Sequence, residues 1–363
     1  MEGIYKTLRR QRTEKSDIEK LVVYPTFFCN LNCSYCFYHK KNNKMISLKD
    51  FRKAFLRFIR ISKNPELVFL GGEPTTHRNL IDIMDEAKRI NKDIPITLFT
   101  NGTLINKKLA DYIINNKINL VISLDGNRLV NDSQRKFFKT PDSVYDRVIL
   151  NLKRYDLIKL TTVNIVVTKK TLTTLNKNIN HLNALGFNSI GFNIDYSDNW
   201  QTKDKAKLKK QVNLIFLDYF KKIKNKEKLY RFSNIYEIFD FIKDGKIPEC
   251  RNLILLPDGR FCLCDKIATI DKKIKEKFII KTDIIGERNK FFNGIKKMGL
   301  EDNQLFCKIG LYLYFRYFKN LKDKKLDKKL NNIFDIQKIL KDETIRYIKV
   351  LIKNKDFCEI HKI

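Results

Sequence analysis

Apolar residues along the first half of the chain follow two alternating rhythms. Short runs rich in β-branched residues read as strands at 21–28 (LVVYPTFF), 66–70 (ELVFL), 94–100 (IPITLFT), 118–124 (INLVISL), 161–168 (TTVNIVVT) and 188–194 (NSIGFNI). Between them the spacing becomes helical. SLKDFRKAFLRFIRI sets Phe51, Phe55, Phe58 and Ile59 on one face. It opens on Ser47 with Asp50 three residues on, close to a capping box. Further helices are expected near 78–91, 106–116, 141–156 and 171–185. Such strand–helix alternation implies a parallel sheet with helices outside, and right-handed crossovers curl it into a full or partial barrel. Chemistry in such barrels gathers at the C-terminal strand ends. The unusual residues fall there: cysteines after the first strand, GGEPT after the second, TNGT after the third and SLDG after the fourth.

The second half reads differently. Residues 203–243 are Lys-rich and helical in pattern. Beyond 245 come five cysteines and a hairpin signal, LILLPDGRFCLC, turning at Pro257-Asp258-Gly259. The last stretch is Lys-rich, aromatic and helical. The expected organisation is an N-terminal extension (1–20), a barrel (21–200), a helical bridge (201–245), a smaller α+β unit carrying cysteines (246–310) and a helical C-terminal segment (311–363).

Composition adds one oddity. The 363 residues are 43% hydrophobic and 31% charged, enough apolar residue for a full core, but the formal net charge is +32. Lysines are scattered among abundant Asn and Ile along the whole chain, the mark of a compositional bias rather than of a nucleic-acid surface. A basic, metal-stabilised nucleic-acid-binding protein is the remote alternative. No apolar run approaches the roughly 18–20 residues that span a bilayer, and the N-terminus lacks the apolar core of a signal peptide. A cytoplasmic protein is expected, in which eight cysteines point to metal or catalysis before disulfides.

Cys29, Cys33 and Cys36 lie on one loop with the spacing C-x3-C-x2-C. Three thiolates there can hold an iron–sulfur cubane and leave its fourth iron open to a small chelating ligand. Zinc, with His39 as a fourth ligand, is the alternative on spacing alone. CNLNCSYC, with Tyr35 at the aromatic position, and Gly71-Gly72-Glu73-Pro74 one βα unit later resemble the paired signatures of the radical S-adenosylmethionine (SAM) superfamily. The resemblance covers roughly residues 20–195.

The resemblance implies a partial (β/α)6 barrel, a [4Fe–4S] cluster on Cys29, Cys33 and Cys36, and SAM cleaved reductively to a 5′-deoxyadenosyl radical. It also implies that Gly71 and Gly72 let backbone approach SAM and that Glu73 accepts from its ammonium group. Ser123 and Asp125 resemble the polar contact to SAM at the end of strand four, and Arg135 the arginine that pairs with the SAM carboxylate. Asn101 and Thr103 either line the pocket or form a plain turn.

The C-terminal cysteines resemble the SPASM and twitch auxiliary-cluster domains, with Cys250 ahead of a Gly259 hairpin and Cys264 behind it. After Cys307, however, no cysteine follows until Cys358. One auxiliary [4Fe–4S] cluster is therefore expected, on Cys250, Cys264 and Cys307, with Cys358 or Cys262 as the fourth ligand or an open position. Cys262 is a ligand, a hydrogen-atom donor or a core residue. Asp265 falls where similar anaerobic sulfatase-maturating enzymes keep a catalytic acid, but Leu70 replaces the glutamine those enzymes carry before GGE. The implied activity is modification of a ribosomally made peptide or protein side chain by crosslinking, oxidation or epimerisation. A small-molecule oxidase or maturase is the alternative. Implied partners are the substrate peptide or protein and an acidic flavodoxin or ferredoxin as electron donor. With about 20 residues before strand one, leader recognition is expected to fall to a separate leader-binding protein or to the C-terminal 60 residues, or to be absent.

Overall fold

The computed structural model describes residues 16–36, 43–235, 250–267, 275–296 and 323–361. In chain order the elements are β1 (Lys20–Val23), α1 (Leu48–Ile61), β2 (Glu66–Phe69), α2 (Leu80–Ile90), β3 (Ile96–Thr100), α3 (Lys107–Asn115), β4 (Asn119–Ser123), α4 (Arg128–Gln134), α5 (Val144–Arg154), β5 (Thr161–Val167), α6 (Leu175–Ala184), β6 (Ser189–Ile194), α7 (Thr202–Lys224) and β7 (Arg231–Phe232). Then follow β8 (Asn252–Leu255), β9 (Phe261–Cys262), α8 (Ile284–Lys296), α9 (Asp323–Leu351) and α10 (Lys355–His361). Among the described residues no helix is long and apolar enough to cross a membrane.

The chain divides into two compact units, one from residues 1–29, 40–99 and 250–299, the other from 30–39, 100–249 and 300–363. In the first, β3, β2, β1 and β8 lie side by side in parallel, and β9 closes a hairpin against β8. The alternation that marked α1 as amphipathic buries Phe51, Ala54, Phe55 and Phe58, and Ser47 caps the helix by accepting from the Asp50 N–H. Strand one is shorter than its apolar run, ending at Val23. Pro25 has no N–H for a ladder, and the chain turns there toward the cysteines. The hairpin forms as expected, with Gly259 at φ +79° and its N–H on the Leu256 carbonyl. Its first strand does more than the sequence suggested. Residues 252–255 pair in full register with β1, so the C-terminal hairpin extends the N-terminal unit's sheet.

In the second unit β4, β5, β6 and β7 are parallel neighbours. The long Lys-rich helix ends at Lys224, well short of 243. The chain reverses through Lys226, at φ +55°, into the two residues of β7. Helix α9 packs along α7, where Phe216 stacks on Tyr347 at 4.7 Å and Lys209 pairs with Glu343 at 2.8 Å.

His361 ties α10 to the sheet. Its Nε2 accepts from the Phe232 N–H at 3.1 Å, so Nδ1 carries the proton toward the Phe357 carbonyl at 3.0 Å. The ring is fully buried. Burial, against the Phe357 carbonyl and aided by Arg231, pushes its pKa down to about 4. The neutral ring's contribution is complete above the unfolded value of about 6.5 and is lost as pH falls from there toward 4, on the order of 3 kcal/mol at the limit. Urea midpoints should therefore drop between pH 7 and 5 more steeply for the native chain than for His361→Ala. Parallel pH profiles would reject this.

Candidate active site

The segment that carries Cys33 and Cys36 is held by backbone and side-chain hydrogen bonds. In the second unit, residues 30–34 lie antiparallel to the strand-like segment after α4. Asn32 N donates to the Lys136 carbonyl (2.7 Å), Ser34 N to Gln134 (2.8 Å) and Phe138 N to Asn30 (3.0 Å). The Asn30 side chain donates to Thr103 Oγ1 at 2.8 Å and accepts from Asn101 Nδ2 at 2.9 Å. TNGT therefore braces the cysteine motif rather than forming an isolated turn. Cys33 and Cys36 are both part-exposed, and the Cys36 N–H turns back onto the Cys33 carbonyl at 3.1 Å.

The SLDG motif supplies a second brace. Asp125 is buried and accepts five hydrogen bonds: from Tyr35 Oη (2.7 Å), Gln134 Nε2 (3.0 Å), Arg135 Nε and Nη2 (3.0 Å each) and the Val166 N–H (2.9 Å). The carboxylate thus holds Tyr35, Gln134, Arg135 and the Val166 N–H together. Arg135 is buried beside it, its guanidinium 5.3 Å from the Tyr35 ring centre. Burial opposes the Arg135 charge, but Asp125, with Tyr35 and Cys33, more than offsets it and its pKa rises further, so the cation is permanent. Burial likewise drives the Tyr35 hydroxyl well above its usual range and keeps it a neutral donor. Ser123 ends β4, part-exposed and in register with Asn164 of β5.

The first unit carries Cys29, also part-exposed, and GGE. A Cβ on Gly72 would lie 2.1 Å from the Phe28 carbonyl oxygen, and one on Gly71, at φ +139°, 2.8 Å from that of Thr26. These glycines let the second strand's loop touch the chain just before Cys29. Glu73 is buried, and its Oε1 accepts from the Thr75 N–H (3.1 Å) and hydroxyl (2.6 Å).

Of the later cysteines, Cys250 is part-exposed and its carbonyl accepts from Arg288. Cys262 is fully buried, its thiol on the Cys264 carbonyl at 3.5 Å, and burial pushes its pKa up to about 11. The Cys264 sulfur is 3.8 Å from Asp265 Oδ1, and Asp265 pairs with Lys266 at 3.2 Å. In the second unit the Cys358 thiol closes the α9–α10 turn on the Ile352 carbonyl at 3.2 Å. Cys307 and His39 lie outside the described residues. Among the described residues no three His, Cys, Asp or Glu side chains converge tightly enough for a single metal ion. A cubane asks for a looser arrangement, because each thiolate takes a different iron.

Residues 23–173 match the family model of the radical SAM superfamily. This chain carries a radical SAM domain. It is 34% identical over 183 residues to an uncharacterised protein of Methanocaldococcus jannaschii, a stretch covering 49% of this chain and 63% of that one. It is 30% identical over 163 residues to the cysteine-type anaerobic sulfatase-maturating enzyme of Clostridium novyi, covering 41% of each. The GTP 3′,8-cyclase of Helicobacter pylori is 24% identical over 314 residues, 75% of this chain and 91% of that one. The chain thus spans less than two thirds of the first two relatives. In fold it resembles the solved structure of native anSMEcpe with bound AdoMet and Cp18Cys peptide, with a TM-score of 0.70, 21% identity, and coverage of 91% and 98% of the two chains.

The radical SAM family implies a [4Fe–4S] cluster and SAM as cofactors, and the donor set fits them. Cys29, Cys33 and Cys36 are part-exposed thiols. In the first unit Cys29 directly follows the Phe28 that the glycine pair touches, and in the second the segment of Cys33 and Cys36 is braced by backbone bonds, Asn30 and the Asp125 network. The braces themselves were missed in the sequence. Asn30, Gln134 and the Tyr35–Asp125 bond join residues far apart in the chain, and no local periodicity signals them.

Proposed function

We propose that this radical SAM chain matures a ribosomally made peptide or protein, altering a side chain or α-carbon by crosslinking, oxidation or epimerisation. The likeness of fold to anSMEcpe, solved with a peptide, carries the reading. Cys29, Cys33 and Cys36 would hold the [4Fe–4S] cluster; Gly71, Gly72, Glu73, Ser123 and Arg135 would receive SAM. When bound, these cofactors supply reductive cleavage of SAM to a 5′-deoxyadenosyl radical. Within the chain, Tyr35 and Arg135 are fixed by Asp125, so that Arg135 presents Nη1, the nitrogen Asp125 does not take. Cys250, Cys264 and Cys307, with Cys262 or Cys358, would hold one auxiliary cluster, and Asp265 would accept a proton. Cys262 is buried; where it is not a ligand, its thiol would serve as a hydrogen-atom donor. An acidic flavodoxin or ferredoxin would supply the electron.

The test is anaerobic reconstitution, iron counting and a search for 5′-deoxyadenosine after reduction with SAM. About eight irons per chain would support two clusters, and about four would remove the auxiliary one. Absence of deoxyadenosine would overturn the reading. A chain with all three loop cysteines replaced by alanine is the control. The GTP cyclase relative favours a second reading, a small-molecule substrate. Modification of a short peptide encoded beside this gene would decide against it.

A further inference from the structure

The sheet of the second unit has one covered face and one open face. Along β5, Thr161, Val163, Ile165 and Val167 are buried, while Thr162, Asn164 and Val166 are part-exposed. On β6, Ile190, Phe192 and Ile194 are buried. The Phe192 ring meets Phe232, which meets Phe216 of α7, so this is the helix-covered face. Asn193 stands on the other face and is exposed. There its Nδ2 donates to Asn164 Oδ1 at 2.7 Å across the two strands. Ser123 is in register with Asn164, which is in register with Gly191. The Ser233 hydroxyl occupies the space a Gly191 side chain would fill, 1.8 Å from its would-be Cβ.

Asparagine is depleted from strands, and here two of them sit bonded to each other inside a sheet. A cross-strand amide pair of this kind contributes about 0.2–1 kcal/mol to the sheet, and it leaves further hydrogen-bonding capacity on the open face. Whichever way the two amides are assigned, their mutual bond leaves an N–H on one side and an oxygen lone pair on the other. Ser123, Asn164, Asn193 and Ser233 carry no charge between them. A phosphate or carboxylate would call for Arg, Lys or a cluster of N–H donors; a neutral group that both donates and accepts is what this row matches.

We propose that the Asn164–Asn193 pair is a docking rung for a peptide group of the substrate, one amide donating to its carbonyl and the other accepting from its N–H. This rests on the peptide-maturase reading and adds to it a main-chain contact that does not depend on the substrate's side chains. Val166, whose N–H is held by Asp125, is in register with Asn193, so the rung belongs to the same rigid frame as Arg135 and Tyr35.

The test uses the reconstituted full chain with isotope-labelled asparagine, followed by NMR. The probe is N-acetylglycine N-methylamide, with guanosine as the rival. The side-chain amide signals of Asn164 and Asn193, identified by their loss in Asn164→Ser and Asn193→Ser, should shift together and saturably with the amide probe. Either substitution should weaken probe binding about tenfold, the effect of roughly one hydrogen bond. Circular dichroism confirms that both variants fold. No shift with the amide probe, a shift with guanosine instead, or unchanged binding in both variants would overturn the proposal. The readout needs no SAM cleavage. Shifts without deoxyadenosine formation would keep the rung and remove the maturase, and the reverse result would do the opposite.

Discussion

Asp125→Ala is expected to destabilise the chain by about 3–5 kcal/mol, because it leaves the Arg135 guanidinium charged and unpaired in the interior. The side chains of the two are 0% and 6% exposed, so water cannot take over. Asp125→Asn should fare little better. All five partners of the carboxylate are donors, and an amide must turn its own N–H2 toward some of them. The same loss frees Tyr35 and the segment that pairs with residues 30–34, so iron content after reconstitution should fall with stability. Removing both charges separates the causes. Asp125→Leu with Arg135→Met takes away the stranded cation and should be more stable than Asp125→Ala alone, while still failing to cleave SAM. Urea midpoints for the three variants check this. A cost below about 1 kcal/mol for Asp125→Ala would mean that the pair is solvated and the network is not a brace.

The strand–helix rhythm was readable because each element has one covered face, and burial imposes a period of two or of 3.6 on the residues. Thr161–Val167 and Leu48–Ile61 show this directly. What the rhythm could not show is pairing across the sequence. The four residues of β8 look like half of a hairpin, and nothing local says that their free edge takes β1. The chemistry divides in the same way. Cys29, Cys33 and Cys36 share a loop, so their spacing carries the geometry. Asp125 and Arg135 were found by motif, but their pairing with each other depends on α4 turning the chain back at Gln134, which no local pattern signals. The Asn164–Asn193 rung left no motif. Its only trace is two polar residues in strands that otherwise favour β-branched ones.

Gly72→Ala should cost the loop its cluster. The added Cβ would lie 2.1 Å from the Phe28 oxygen and 2.6 Å from both the Phe28 carbonyl carbon and the Phe27 oxygen. These are backbone atoms, so no side chain can rotate away. Either the GGE loop or the Phe27–Phe28 segment must move. The second is tied on both sides, by the Gly72 N–H on the Thr26 carbonyl (3.1 Å) and the Glu73 N–H on the Phe28 carbonyl (2.7 Å). Displacing it displaces Cys29, the next residue. Overpacking of this kind costs about 1–3 kcal/mol, and the larger consequence is for the ligand set, where a thiolate shifted by an ångström no longer matches its iron. Iron bound after reconstitution should fall by about half or more if only the auxiliary cluster survives, and deoxyadenosine formation should disappear. Gly71→Ala meets the Thr26 oxygen at 2.8 Å and adds a strained φ, but Thr26 lies two residues farther from Cys29 than Phe28 does. It should therefore lose stability before it loses iron. Full iron loading in Gly72→Ala would show that the loop yields without moving Cys29.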